Sequence, residues 1–251
     1  MASAGPMLEI RNLSKTYSDG TPGLIDLSLT IEPGEFVTVL GRSGSGKSTF
    51  LRCVNRLIEP TAGRIFLAGE EITGISAAKL RVLRRKIGMI FQQFNLVRRL
   101  TVLANTLSGR LGYHSAWAAM IHHFPRQEIE TALRRLDRLG IGDKAGQKAE
   151  SLSGGQQQRV GIARALMQEP EILLADEPVS SLDPASARVI LDILREINRN
   201  EGVTVVCNLH QPDLAREYGG RVLALQQGRL VFDGPPQRLD SDTVDRIYRS
   251  A

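Results

Sequence analysis

The feature that most constrains this 251-residue chain is a glycine-rich segment that lies between an apolar run and a helical run. Residues 41–49 read GRSGSGKST, which matches the pattern G-x-x-x-x-G-K-[ST]. The preceding run Phe36–Leu40 has the length of a buried strand, so the order strand, loop, helix is that of a phosphate-binding fold. A chance glycine-rich turn is the alternative, and the strand and helix on either side make it remote.

The loop residues have predicted contacts with phosphate and metal. Glycines lack Cβ atoms and let successive backbone N–H groups turn inward around a phosphate, while the positive end of the following helix adds a favourable field. We expect Lys47 to reach the β- and γ-phosphates, Ser48 to coordinate Mg²⁺ and Thr49 to add a phosphate contact. The other predicted nucleotide-binding residues of the loop are Gly41, Arg42, Ser43, Gly44, Ser45 and Gly46.

A second apolar run ends in two carboxylates. Asp176 and Glu177 directly follow Ile172–Ala175, so both should lie at the carboxyl edge of a parallel sheet, where ligands bind in such folds. Asp176 is placed to hold the Mg²⁺ shell together with Ser48, and Glu177 to orient or deprotonate the water that attacks the γ-phosphate. Solvated acids at a strand end are the weaker alternative, because phosphoryl transfer depends on this kind of positioning.

Hydrophobic periodicity predicts an α/β fold around these motifs. Residues 7–10 alternate like an edge strand and residues 27–31 repeat the period of two, which predicts an N-terminal antiparallel β region. Residues 93–140 lack strand-like runs and instead carry apolar residues at helical spacing, as expected for a helical insertion. The apolar residues at helical spacing are Ile129, Leu133, Leu136 and Leu139.

The second half returns to alternating strands and helices. Apolar runs at 172–175, 203–207 and 222–225 are separated by helical segments such as 185–198. This alternation predicts a parallel sheet covered on both faces. The length fits one large α/β domain with an inserted subdomain better than two independent domains.

Charge and cysteine content exclude little by themselves. A net charge of +5 suits nucleotide phosphates, a lipid headgroup surface or nucleic acid equally. Cys53 and Cys207 are far apart without CxxC spacing, which favours two reduced packing thiols over a disulfide or zinc site. The densest basic cluster lies at helical spacing and is expected to be a solvated helix face. It comprises Arg81, Arg84, Arg85 and Lys86.

Residues 152–156 read LSGGQ and form a second candidate anion site between the two motifs. A serine and two glycines at a helix start present free backbone N–H groups. Because the glycine-rich loop already holds the γ-phosphate of its own nucleotide, a second cradle makes sense if it faces ATP bound to another copy. An ordinary capped helix is the alternative, and the residues alone leave it open. The candidate contacts are Ser153, Gly154, Gly155 and Gln156.

LSGGQ resembles the signature sequence of the ATP-binding cassette family, and nearly the whole chain is similar to that family in its order of motifs. The order is P-loop, glutamine loop, signature, Walker B, D-loop and switch histidine. The resemblance implies a P-loop NTPase fold with a RecA-like core at 1–92 and 161–251 and a helical signature subdomain at 93–160. It also implies an ATPase that binds ATP and Mg²⁺ and acts as a pair of copies.

The resemblance implies roles for further residues. Tyr17 matches the aromatic residue that stacks on adenine, and Gln92 resembles the glutamine that touches Mg²⁺ and links the site to the membrane partner, with Gln93 as the alternative. Asp183 lies in a segment that resembles the D-loop, and His210 resembles the switch histidine that contacts the γ-phosphate. The implied catalytic residues are Lys47, Gln92, Glu177 and His210, and the implied metal-binding residues are Ser48, Gln92 and Asp176.

Within the family, the chain resembles the ATPases of phosphonate importers at residues 105–112, Trp117, Phe124, Pro125, 176–183 and 208–211. It departs from that subfamily at Ser180, where alanine is usual, and in the glycine-rich stretch 218–220. Neither position has a catalytic role, and an importer of phosphite or phosphate stays open as an alternative. The single cassette and the absence of a coiled-coil insertion favour an importer over a soluble cassette that remodels nucleic acid or ribosomes.

An importer ATPase has expected partners and an expected location. The partners are a second copy, membrane permease subunits and, indirectly, a solute-binding protein outside the membrane; no nucleic acid is expected. The start of the chain lacks signal-peptide features and no apolar run approaches the roughly 20 residues of a membrane span, so the expected location is the cytoplasmic face of the inner membrane.

The helical insertion also contains a mixture of histidines and aromatic residues. Such a mixture suggests a metal or nucleic-acid site, but no cysteine or carboxylate completes a ligand set nearby in the sequence, so we expect packing or partner docking. The residues concerned are Tyr113, His114, Trp117, His122 and His123.

Overall fold

The computed structural model describes residues 5–114 and 124–248, so the predictions for Trp117, His122 and His123 lie outside the described residues. The strands are β1 Leu8–Thr16, β2 Pro22–Ile31, β3 Phe36–Leu40, β4 Ala62–Leu67, β5 Glu70–Glu71, β6 Ile87–Ile90, β7 Ile172–Ala175, β8 Thr204–Asn208, β9 Arg221–Gln226 and β10 Arg229–Gly234. The helices are α1 Lys47–Val54, α2 Ala77–Leu83, α3 Val102–Leu107, α4 Arg126–Arg138, α5 Gly154–Leu166, α6 Pro184–Glu201, α7 Pro212–Tyr218 and α8 Ser241–Tyr248. Within the described ranges, no helix combines the length and apolar character that a membrane span requires.

A six-stranded sheet forms the centre of the molecule, in the order β10-β9-β3-β8-β7-β6. The strands from β9 to β6 are parallel, and β10 adds an antiparallel edge. Successive residues of the central strands enter opposite apolar clusters: Leu173 and Ala175 of β7 pack on one face, Ile172 and Leu174 on the other. The predicted parallel sheet covered on both faces is confirmed.

The antiparallel β region is also confirmed, as a four-stranded sheet in the order β2-β1-β4-β5. The prediction that residues 7–10 form an edge strand is wrong, because β1 pairs on both sides: Ile10 lies opposite Leu29 of β2 and Ile65 of β4. The alternating pattern reports only that one face of a strand is covered. It does not report whether a second strand, far away in the sequence, pairs with it.

Two apolar clusters lie on the two faces of the six-stranded sheet. One joins the sheet to the antiparallel region and α1, for example through Ile10 and Phe50. The other joins the sheet to α4, α5 and α6 through residues such as Leu136, Val160 and Ile190. The helical insertion therefore packs directly on the core, and the proposed division at residues 160 and 161 falls inside α5.

The helical pattern around Leu136 corresponds to α4, where Ala132 and Leu136 are buried. In the same insertion, His114 contacts a carboxylate, with its Nε2 2.8 Å from Glu128 Oε2. Its ring meets the ring of Phe124 edge-on, with centroids 5.6 Å apart. Among the described residues, no group of three or more histidine, cysteine, aspartate or glutamate side chains is arranged to hold a metal ion.

The basic cluster is less solvated than predicted. Arg84 is half-buried and donates hydrogen bonds to the backbone oxygens of Asn55, at 3.0 Å, and Arg56, at 2.6 Å. Burial lowers the pKa of the Arg84 guanidinium. The Arg85 guanidinium stacks over the Tyr113 ring at 4.6 Å. These partners come from other segments of the chain, so helical spacing alone could not indicate them.

Gly219 and Ser180, two positions discussed in the sequence analysis, have specific local contacts. A Cβ atom on Gly219 would lie 2.6 Å from Thr38 Oγ1 and 2.9 Å from the Ala215 oxygen, because the end of α7 crosses close to β3. The Ser180 hydroxyl donates to the backbone oxygen of Glu177 at 3.1 Å, a bond that alanine could not make.

Both cysteines, Cys53 and Cys207, are free and buried, which confirms the prediction of packing thiols.

Candidate functional site

A cavity of about 450 Å³ opens beside the glycine-rich loop and receives residues from the ends of several parallel strands. Most of the predicted site residues line it, so the fold brings together residues as far apart in the sequence as Tyr17 and His210, which are 193 positions apart. The predicted residues that line the cavity are Tyr17, Ser43, Gly44, Ser45, Gly46, Lys47, Ser48, Thr49, Gln92, Glu177 and His210. Gln93, the alternative to Gln92, is not among the lining residues.

The glycine-rich loop ends in a backbone conformation that only glycine accommodates. Gly46 precedes the first residue of α1 and has φ 107° and ψ −3°, without a side-chain capping hydrogen bond. A Cβ atom at Gly46 would lie 2.6 Å from the oxygen of Gly23, at the start of β2. The loop is therefore held against the antiparallel sheet, and the uncapped start of α1 faces the cavity with the free N–H groups that an anion requires.

Lys47 lies at the bottom of the loop and is 3% exposed. Its Nζ donates to the Gly41 oxygen at 2.8 Å and to the Arg42 oxygen at 3.1 Å, and lies 3.8 Å from Glu177 Oε1. Burial lowers the pKa of Lys47, while the charges of Glu177 and Asp176 act in the opposite direction. Within the described residues, Glu177 is the one carboxylate in ion-pair contact with this buried ammonium. Such a group is suited to bind the negative charge of a phosphate. Gly41 and Arg42 contribute backbone oxygens here and do not line the cavity.

Ser48 and Asp176 form the predicted metal-binding pair. The Ser48 hydroxyl donates to Asp176 Oδ1 at 2.7 Å, and the Asn208 amide donates to the same oxygen at 2.9 Å. An Arg52 guanidinium nitrogen lies 3.6 Å from Asp176 Oδ2. A hydroxyl and a carboxylate beside a phosphate-binding loop, with Gln92 in the same cavity, supply the oxygen ligands that Mg²⁺ prefers, so the residues fit this ion.

Sequence reasoning missed a role for Asn208 at this point. Its signal was a single polar residue at the carboxyl end of an otherwise apolar strand, within the segment 208–211. That position matters only because β8 lies next to β7, which carries Asp176 at its end. The pairing of the two strands is a tertiary feature.

Glu177 and His210 form a second contact pair in the cavity. His210 Nε2 lies 2.5 Å from Glu177 Oε1. Glu177 has φ 52°, a left-handed conformation that is uncommon for residues other than glycine and clusters at functional sites. The backbone N–H and the hydroxyl of Ser180 both donate to the backbone oxygen of Glu177, at 3.3 Å and 3.1 Å. These two bonds support the left-handed conformation of Glu177.

Tyr17 also lines the cavity, and the residue is 37% exposed. Its hydroxyl is 2.8 Å from Thr49 Oγ1, and the Lys15 ammonium lies 5.6 Å from the ring centroid. An aromatic face that is open to the cavity on one side can stack on a base, because every base has a π-face. The hydrogen bond to Thr49 links this ring to the glycine-rich loop.

The predicted signature residues and Asp183 do not line the cavity of their own chain. Ser153 caps α5 and forms a capping box with Gln156, with bonds of 3.4 Å and 3.0 Å. Asp183 caps α6 by accepting from the N–H groups of Ala185 and Ser186, and the bonds from Ser186 lower its pKa. The ordinary capped-helix alternative therefore describes what this segment does within a single chain.

Comparisons with known proteins identify relatives by sequence and by fold. The family model described as ABC transporter matches residues 24–180. The phosphonates import ATP-binding protein PhnC of Shouchella clausii is 51% identical over 242 residues, which cover 96% of this chain and 91% of that protein. A dimeric structure of MJ0796, a bacterial ABC transporter cassette, has a TM-score of 0.82 at 36% identity. A dimeric post-hydrolysis state of the same cassette, bound to ADP and Pi, has a TM-score of 0.76 at 35% identity. In both comparisons the matched region covers 92% of this chain and 99% of the MJ0796 chain.

Proposed function

Because the chain belongs to the ABC transporter family, we propose that it is the ATP-hydrolysing subunit of an importer for phosphonates. The observation that carries the ATPase assignment is the cavity lined by Lys47, Ser48 and the pair Glu177 and His210. The buried Asp176 carboxylate lies directly behind it and accepts a hydrogen bond from Ser48. The phosphonate assignment is supported by the 51% identity to the phosphonates import ATP-binding protein of Shouchella clausii. An importer of phosphite or phosphate is the alternative that the same site would also serve.

The residues of one chain divide the work of hydrolysis. The P-loop amides and Lys47 bind the β- and γ-phosphates, and Tyr17 stacks on the adenine. Ser48, Gln92 and Asp176 would hold Mg²⁺, which when bound neutralises charge on the β- and γ-phosphate oxygens. Glu177 orients the attacking water or accepts its proton, and His210 contacts the γ-phosphate.

A second copy completes the site. The MJ0796 structures are dimers, and the signature residues of this chain lie away from its own cavity. In a head-to-tail pair, the signature residues of one copy would face the ATP bound to the other copy. Each γ-phosphate is then held by Lys47, Gln92 and His210 of one copy and by Ser153 and Gly155 of the other. Gly154, Gln156 and the D-loop residue Asp183 lie at the same interface.

The two copies drive transport by changing their arrangement relative to each other. ATP binding closes the two copies and hydrolysis reopens them, and the helical insertion transmits this change to permease subunits. The chain would lie on the cytoplasmic face of the membrane as a peripheral subunit, with the solute-binding protein on the other side. Specificity for the solute then resides in the permease and the binding protein.

The test of the enzyme is Glu177→Gln. The variant should bind ATP and form a stable pair, and its hydrolysis should fall by about 100- to 10,000-fold, because the amide cannot accept the proton of the attacking water. ATP affinity, dimer formation by size-exclusion chromatography and phosphate release are measured together. Glu171→Gln, at the other end of β7 with its carboxylate 3.1 Å from Lys86, is the matched control and should hydrolyse ATP normally. Wild-type turnover by Glu177→Gln would remove Glu177 from its role.

The test of the solute uses the subunit with its permease in liposomes. Binding protein is loaded with alkylphosphonate, phosphite or phosphate, and the stimulation of ATP hydrolysis is compared. Strongest stimulation by alkylphosphonate is expected. Preference for phosphite or phosphate would keep the mechanism and change the substrate. A lack of stimulation by all three, together with salt-sensitive binding to RNA or DNA, would support a soluble cassette.

A further inference from the structure

Asn208 is a fully buried polar residue for which the reaction described above has no use. It is the last residue of β8 and lies two positions before His210. In the parallel register of β7 and β8, Ala175 lies opposite Cys207. The next residues, Asp176 and Asn208, therefore lie side by side at the carboxyl edge of the sheet.

The contacts of Asn208 are directed at the metal-binding carboxylate. Its Nδ2 donates to Asp176 Oδ1 at 2.9 Å, and Ser48 donates to the same oxygen at 2.7 Å. The other oxygen of Asp176 lies 3.6 Å from the guanidinium of Arg52, whose side chain is half exposed. Two short hydrogen bonds on one oxygen fix the rotation of the carboxylate, and Asn208 provides the one that comes from the interior of the sheet.

Stability alone does not explain an asparagine at this position. Its Oδ1 is buried and has no hydrogen-bond partner among the described residues. A buried acceptor without a partner destabilises the folded state, whereas an apolar side chain of similar shape would avoid that cost. The amide is therefore retained at a cost, and its side-chain hydrogen bond, as far as the described residues show, is to Asp176.

We propose that Asn208 is a positioning residue for the Mg²⁺ of the nucleotide complex, which it serves by holding the Asp176 carboxylate in the orientation that the metal requires. The proposal rests on the proposed ATPase function. Groups that orient a metal ligand typically change metal affinity by about 10- to 100-fold when they are removed. ATP binding through the P-loop, Lys47 and Tyr17 does not depend on this contact.

The experiment uses Asn208→Leu in the full-length chain, with Mn²⁺ as a spectroscopic substitute for Mg²⁺. Electron paramagnetic resonance of free Mn²⁺ measures metal affinity in the presence of ATP, and a fluorescent ATP analogue measures nucleotide affinity without metal. We expect Mn²⁺ to bind about 10- to 100-fold more weakly. Metal-free nucleotide affinity should stay at the wild-type value, and a cooperative urea unfolding transition shows that the variant is folded. A higher Mg²⁺ concentration for half-maximal hydrolysis should accompany the change.

The matched control is Thr204→Val. Thr204 is buried at the opposite end of the same strand, where its Oγ1 accepts a bond of 2.9 Å from the Gly34 N–H. It should leave Mn²⁺ affinity unchanged. If Asn208→Leu does not fold, Asn208→Ala removes the amide without adding volume and carries the same expectation.

Two results would overturn the proposal. The first is wild-type Mn²⁺ affinity in a folded Asn208 variant, and the second is an equal loss of metal-free nucleotide affinity, which indicates a general structural role. Failure of the wild-type chain to bind or hydrolyse ATP would instead refute the proposed function. The two failures are therefore distinguishable.

Discussion

The glycine at position 46 can be compared with Gly44, which lies in the same loop. Both have positive φ, at 79° for Gly44 and 107° for Gly46. A Cβ atom on Gly44 would meet nothing within 4 Å, whereas on Gly46 it would lie 2.6 Å from the backbone oxygen of Gly23. Both Gly44→Ala and Gly46→Ala therefore place a side chain at positive φ, and Gly46→Ala alone adds a less accessible φ and the contact with Gly23.

The expected magnitudes follow from these two terms. A left-handed alanine costs about 1–2 kcal/mol, and the reduced entropy of the unfolded chain offsets about 0.4–1 kcal/mol of this. Gly44→Ala should therefore lower the free energy of unfolding by about 1 kcal/mol. Gly46→Ala adds a less accessible conformation and an overpacked contact with backbone, each of order 1–3 kcal/mol, so its total should be about 3–7 kcal/mol.

The assay is urea unfolding of both variants and the wild type without nucleotide, followed by circular dichroism. Both glycines line the cavity, so ATP affinity would not isolate the contact with Gly23. The two variants are compared by their urea midpoints. The difference should correspond to a free energy of unfolding that is lower for Gly46→Ala than for Gly44→Ala by at least about 2 kcal/mol. Equal destabilisation by the two variants would refute the reasoning, because it would show that the approach of the loop to β2 does not restrict position 46.

Two further predictions concern the site and the core. His210→Ala should lower ATP turnover by about 100- to 1,000-fold and leave ATP affinity within a few-fold of wild type, because the imidazole acts on the charge that develops on the γ-phosphate. Steady-state ATP hydrolysis measures the turnover. Unchanged turnover would contradict the role of His210. Cys53 and Cys207 should not react with a disulfide reagent at pH 8 until the protein is unfolded. Burial raises the pKa of Cys53 to about 11 and raises that of Cys207 as well, so little of either thiol is ionised, and rapid modification of the native protein would contradict this.

The parts of the site that sequence reasoning identified share one property: each is encoded by neighbouring residues. The P-loop pattern lies within residues 41–49, and Asp176 and Glu177 directly follow an apolar strand. The type of each element needs only local periodicity, and a parallel sheet places the ends of its strands at one edge. Eleven of the predicted site residues line the cavity around Lys47. Three of these, Tyr17, Gln92 and His210, were implied by the family resemblance and not by a local pattern.

The parts that it missed depend on strand order and on packing between distant segments. Strand β1 was expected at an edge and lies inside its sheet, because β4 pairs with its second side. Arg84 was expected to be solvated and instead donates to backbone oxygens of Asn55 and Arg56. The antiparallel β10 at the edge of the central sheet was not expected either.

By itself, the amino-acid sequence determined the α/β class, the phosphate-binding loop and the types of side chain around that loop. It could do so because the hydrophobic periodicity of helices and strands, and glycine-rich turns, are properties of short segments. Only the tertiary structure decided that Asn208 reaches Asp176, that Gly46 contacts Gly23 and that the residues around Ser153 lie away from the cavity of their own chain. The physical reason is that hydrogen bonds and close contacts act over a few ångströms. Segments far apart in the chain meet only when burial of the two apolar clusters fixes the order and register of the strands.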